Sequence, residues 1–126
     1  MPTLTQYLLV AAAGAIGAVL RLFVATSSGR LFGAAFPYGT FIINITGSFI
    51  LGWFMALCAR PGQISETTRL AIAVGFVGSY TTFSTLMYES NALFAESLPL
   101  RAILNLVGSL IIGLLAVRLG LLVGQR

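Results

Sequence analysis

Between Val74 and Tyr88 the chain reads V-G-F-V-G-S-Y-T-T-F-S-T-L-M-Y, a run of hydroxyls and aromatic rings that could handle a small ion. A strongly hydrated anion needs many close donors to replace its water, and Ser, Thr and Asn side chains supply neutral ones. The positive edge of an aromatic ring adds a further attraction. A cation pathway more often presents acidic side chains or rings of carbonyls, whereas no charge falls between Arg69 and Glu89. The run is long enough to cross a bilayer, since about 20 helical residues span roughly 30 Å of hydrocarbon. Its middle nevertheless carries Gly75 and Gly78, and glycine is a poor helix former. Non-helical backbone persists at membrane depth only inside protein or around a watery cavity. Broken helices with free carbonyls and amides make ion sites in many transporters. The stretch therefore predicts a helix broken near its centre beside an ion pathway. An anion is favoured, and the unwound carbonyls could at the same time face a cation.

Other polar residues recur at a spacing of four, which sets them on one helical face. Thr40, Asn44, Ser48, Gly52 and Ala56 form one stripe, Asn105, Ser109 and Gly113 a second, and Ala13 and Gly17 lead up to Arg21. Small residues on such a face let helices approach closely, the reading given to Gly17, Ser48, Gly52 and Gly113. Asn44 and Asn105 are different, because a carboxamide in lipid has four hydrogen-bonding positions to satisfy. Pore lining and structural bonding both remain open for them. Glu89 and Arg21 are the deepest ionisable residues. An intramembrane acid is a functional candidate by default, with an ion pair or an interfacial carboxylate as the other reading. Glu66 and Glu96 read as loop charges, and Arg101 and Arg118 as snorkelling side chains.

The elements that must position these residues are membrane helices. Hydrophobic residues make up 58% of the 126 and charged residues 8%, against about 25% charge in an ordinary soluble domain. Mean hydropathy is +0.99. Four spans are expected, from about Leu4 to Thr26, Tyr38 to Ala59, Thr67 to Phe94, and Pro99 to Val123, as one transmembrane unit over residues 1–126. The first run is too long for a signal-peptide core and lacks a basic leader. With no histidine and one cysteine, Cys58, neither a disulfide framework nor a Cys/His zinc site can be built within one chain. No catalytic dyad or nucleotide loop can be assembled, so an enzyme is not expected. The net charge of +4 comes from scattered single arginines, which is not the stripe that nucleic acid requires. Four spans put both termini, Arg60, Arg69 and Arg126 on one side, opposite Arg30 and Arg101. Arginine and lysine bias normally fixes orientation, and here it nearly vanishes. Either the termini face weakly inward or the chain inserts both ways and pairs antiparallel with itself.

At this point the motifs match a known family. G-F-V-G-S-Y-T-T-F-S-T at 75–85 resembles the third-helix signature of the Fluc (CrcB) fluoride channels. Y-G-T-F-I-I-N at 38–44, followed by G-S-F-I-L-G, is similar to their second-helix motif. G-A-V-L-R at 17–21 and V-G-S-L at 107–110 resemble the first- and fourth-helix patterns, so the likeness runs along the whole chain in order. The resemblance implies an all-α membrane protein of four helices with a break in the third, forming an antiparallel dual-topology homodimer in the bacterial inner membrane. It implies two pores that export toxic fluoride passively, and a structural sodium ion at the dimer centre. Backbone carbonyls of Gly78 and Thr81 from both copies would hold that ion. Phe83 matches the first aromatic of the family's Phe box, and Asn44 the pore asparagine beside it. Ser84, Thr85 and Ser109 fall on the polar track, with Asn105 at a neighbouring position. Arg21, Thr40, Tyr88 and Glu89 are read as vestibule or structural residues. Leu86 departs from the pattern, standing where the second box phenylalanine is expected. The resemblance implies that Met87, Tyr88 or another aromatic compensates, or that the pore uses fewer aromatic contacts. Ser79, often glycine in the pattern, is a milder change. The alternative is a small four-span multidrug or cation exporter of dual topology. Such proteins need a first-span glutamate for proton coupling, and Leu4–Leu20 contains none. A non-transporting assembly subunit is the third reading.

Overall fold

Side chains that take up free backbone amides set several of the helix starts. Thr3 and Gln6 form a reciprocal capping box at the head of α1 (Leu4–Phe32), satisfying two donors that the first turn leaves free. Pro37 precedes α2 (Tyr38–Cys58), which ends before Arg60-Pro61-Gly62. Ser65 caps the third span by accepting the Thr68 amide, and Pro99 occupies the first turn of the last helix, where its missing N–H costs nothing. In the computed structural model, which describes residues 1–126, these signals delimit four helices long and apolar enough to cross a membrane.

The third of them is discontinuous. One α-turn at Glu66–Arg69 leads into a π-helical stretch, Leu70–Val77, and then a last turn, Gly78–Tyr80; together these are α3 (66–80). Thr81 and Thr82 are extended (ψ 158° and 120°). The chain resumes as α4 (Phe83–Ala95), and α5 is Pro99–Gly124. The break is thus where an ion pathway was expected, but not on the glycines. Gly75 is buried in helix, pressed against α1, where an added Cβ would lie 2.7 Å from the Val10 carbonyl oxygen. The extended residues are two adjacent threonines, whose branching at Cβ favours that conformation.

Packing proceeds in two seams. α1 lies along α3, and α2 along α5, with α4 closing against α5. Gly17 lets α1 come down on α3 so closely that an added Cβ would collide with the Phe76 carbonyl oxygen. Gly52 and Gly120 do the same for α2 and α5, meeting the backbone at Val117 and Phe49. Van der Waals contact of this kind replaces the hydrophobic drive that lipid cannot supply. Gly113, expected to pack, has nothing nearer than 3.8 Å to its missing Cβ. The first helix also runs further than Thr26, to Phe32, so Arg30 stands in its last turn rather than in a loop.

Both ends of the bundle are laced by polar side chains. At one, Gln6 Nε2 donates to Thr67 Oγ1 (3.1 Å) and Arg60 Nη2 to the Gly124 carbonyl (2.7 Å). At the other, Arg101 Nη1 donates to the Ala35 carbonyl (3.0 Å). The links join elements that the four-span topology assigns to the same side. Only 19 of 126 residues are buried.

Candidate functional site

A helix that stops must find new partners for its amides and carbonyls. The Thr82 N–H, which a continuing helix would give to the Gly78 carbonyl, instead donates to Asn44 Oδ1 at 2.9 Å. The Thr85 N–H, due to the Thr81 carbonyl, instead donates to Thr82 Oγ1 at 3.3 Å, making Thr82 the N-cap of α4. The carbonyls of Gly78 and Thr81 are thereby released from their helical bonds. Asn44 Nδ2 returns a hydrogen bond to the Thr82 carbonyl (3.0 Å). The Asn44 carboxamide therefore pairs with the Thr82 peptide as one strand pairs with another. Thr81 keeps its amide and its hydroxyl on the Val77 carbonyl, each at 3.0 Å.

Two cavities flank the break. A groove of about 460 Å³ is lined by Asn44, Ser48, Thr81, Thr82, Phe83 and Ser109, with Leu86 and Met87 on its apolar wall. On the other side, about 290 Å³ is enclosed by Arg21, Thr40, Thr82, Thr85 and Glu89 among others. Thr82 lines both. Ser109 Oγ, buried at the groove, has no hydrogen-bond partner. The lining of the first cavity is uncharged and mostly apolar; the Ser48 and Thr81 hydroxyls donate to the Asn44 and Val77 carbonyls, which leaves the Ser109 hydroxyl and one Asn44 N–H free to meet a small anion. The second carries the only deep charges.

Glu89 lies 2.8 Å from the Thr40 hydroxyl, which donates to Oε1, while Oε2 is buried without a partner. Arg21 shares that cavity but makes no ion pair with it; the only salt bridge joins Arg69 to Glu66 at an exposed helix start. A third recess of about 330 Å³ contains Thr40, Tyr88, Glu89 and Glu96 at the membrane-surface end of α4.

The expected site residues divide accordingly. The structure brings Asn44, Thr81, Phe83 and Ser109 together at the groove, and Arg21, Thr40, Thr85 and Glu89 behind the break. Tyr88 stands further out, 76% exposed. Gly78, Ser84 and Asn105 line none of these spaces. Gly78 and Ser84 lie on the exposed face of the third span, beside Val74 and Phe83. Asn105 is fully buried and donates to Ser90 Oγ (2.9 Å), which in turn donates to the Leu86 carbonyl (2.7 Å). Its Oδ1 has no partner.

Sequence reasoning had assigned Ser48 to packing and had given Thr82 no individual role. The spacing Thr82-x-x-Thr85 is the available signal for Thr82, a cap three residues ahead of the amide it accepts. Leu86, buried at the groove wall beside Phe83, occupies the place expected of a second ring, and Met87 lines the same groove. A thioether there can contact a ring edge.

Residues 8–121 match the family model described as CrcB-like protein, Camphor Resistance (CrcB). Over 121 residues the chain is 43% identical to a protein of Acidobacterium capsulatum named fluoride-specific ion channel FluC, covering 96% of this chain and 97% of that one. A protein of the same name from Sulfurihydrogenibium sp. is 44% identical over 101 residues, 80% of this chain and 82% of its own length. A third, from Caulobacter sp., is 39% identical over 124 residues, 98% and 97% of the two chains.

Proposed function

The chain belongs to the CrcB family, and from that membership we propose that it is a fluoride channel of the membrane, letting fluoride pass down its gradient. The observation that carries this reading is the break at Thr81–Thr82, set in the middle of the third span between two cavities. Nothing in the groove is anionic, and the Ser109 hydroxyl and one N–H of Asn44 are left there to donate. Phe83 lies at its rim with 72% of its surface uncovered, free to turn a ring edge to the ion. Passive flow down that gradient requires no energy-coupling group.

In this reading two copies pair in opposite orientations, each contributing a pore. Support comes from the uncovered face of the broken span, where Val74, Phe83 and Tyr88 are 55%, 72% and 76% exposed. The near-even arginine distribution permits both orientations. Sodium at the centre of that pair would be held by the Gly78 and Thr81 carbonyls. Those carbonyls fit a hard cation that prefers oxygen: both have lost their helical partners, and Gly78 presents bare backbone on the exposed face. No cluster of three acidic, histidine or cysteine side chains competes for it. The ion would supply a fixed positive charge binding the two broken helices together.

Purified protein in liposomes loaded with fluoride or chloride tests the function. Fluoride release with chloride retained is the expected result; chloride efflux at a comparable rate rejects the reading.

A further inference from the structure

We propose that Asn44 is a positioning residue that couples the fluoride pathway of each chain to the central cation, an inference that rests on the function proposed above. The carboxamide faces the groove, yet both of its ends are engaged with backbone: Oδ1 receives the Thr82 N–H at 2.9 Å and Nδ2 donates to the Thr82 carbonyl at 3.0 Å. One N–H of Nδ2 is left for anything in the groove. By holding the Thr82 amide, Asn44 keeps it away from the Gly78 carbonyl, its partner in an unbroken helix. That N–H belongs to the same planar peptide unit as the Thr81 carbonyl, so the direction of this oxygen is fixed with it.

The neighbouring residues of α2 reinforce the same grip. The missing Cβ of Gly47 lies against the Thr81 methyl group and the Tyr80 ring. The Thr46 and Tyr80 hydroxyls are 2.9 Å apart. Three positions of α2 thus hold residues 80, 81 and 82, and Asn44 alone among them bonds the main chain of the break. A rotation of the 81–82 peptide that disturbed the groove would also turn the Thr81 oxygen away and let the Thr82 N–H recapture the Gly78 carbonyl. Because one main-chain segment serves both sites, loss of the clamp weakens cation binding as well as conduction. A simple anion donor at this position would affect conduction alone.

The test is the sodium concentration that half-maximally raises the thermal stability of the purified dimer, in a potassium background. Asn44→Ala and Asn44→Asp are expected to raise that midpoint about tenfold, within the usual range of coupling between sites. Ser109→Ala, which changes the groove from the last helix and away from the pairing face, is expected to reduce fluoride efflux while leaving the midpoint where it was. Asn44 variants that lose flux but keep the wild-type sodium midpoint overturn the coupling. A wild-type protein with no sodium-specific stabilisation overturns the central-cation reading and the coupling with it, while liposome efflux judges the channel reading separately. Should the Asn44 variants fail to assemble, the wild type decides. The chain has three asparagines, at 44, 91 and 105. Exchanging sodium for potassium is expected to shift the side-chain ¹⁵N resonance of Asn44 and not that of Asn91, and an unmoved Asn44 signal overturns the proposal.

Discussion

Thr82 is held by side chain and main chain alike: its hydroxyl caps α4 through Thr85, and its N–H and carbonyl, in two successive peptide units, are both bonded by Asn44. The demand that Asn44 be satisfied was legible in the sequence, because a carboxamide in lipid must find partners; which partner it found was not. That depended on where the helix stops, a tertiary outcome. Thr81 illustrates the division between side chain and backbone. Thr81→Ser keeps the hydroxyl that bonds the Val77 carbonyl and loses only the methyl group against Gly47. A cost of about 1 kcal/mol is expected, near that of one buried methyl group. Thr81→Pro removes the N–H bonded to the same carbonyl, and loss of the assembled dimer is expected on size-exclusion chromatography. For Phe83→Ile, losing a ring edge worth about 1 kcal/mol to the permeating ion is expected to slow fluoride efflux roughly 5–10-fold. Dimer assembly is expected to be retained, and an electrode measurement of efflux, normalised to protein incorporated, checks this.

At the scale of elements, the four spans and most of their ends could be read from charge-free windows, caps and prolines. The break itself could be placed in the third span but not on its residues. Gly75 and Gly78 looked like the weak point, since glycine is costly in a helix. Yet the seam with α1 recruits Gly75 for close contact, and the interruption moves to the threonines. Close contact could not be ranked from spacing alone in either seam: Gly17 and Gly113 sit in similar patterns but meet different surroundings. Gly17→Ala is expected to destabilise the folded chain by about 1–3 kcal/mol, the usual cost of overpacking, because the new methyl meets a carbonyl oxygen that cannot move aside cheaply. Gly113→Ala is expected to lie within about 0.5 kcal/mol of wild type, since its neighbours are 3.8 Å away or more. Unfolding of the detergent-solubilised variants, compared side by side, measures both.

For the whole molecule, the chain surrounds its small interior with apolar surface, and 19 buried residues among 126 are few for a unit that holds its shape unaided. Lipid and a second copy are the surroundings that the proposed function supplies. Hydropathy showed the apolar surface directly; the part of it that the proposed pairing would use could not be separated from the part that faces lipid, since both are apolar. The arginine balance bears on how copies are oriented. Adding two lysines beside Arg126 is expected to drive the population toward termini-inside, with C-terminal reporter fusions reading a mixture in the wild type and one orientation in the variant. The lacing of the bundle adds a constraint to such shifts. Arg60 and Arg101 fasten opposite ends by gripping a main-chain oxygen, and they are also among the few cations that the insertion machinery can count. Stiffness and the choice of which way to face are therefore vested in the same guanidinium groups. A variant that tips the scales by neutralising one of them also unties the end where it stood.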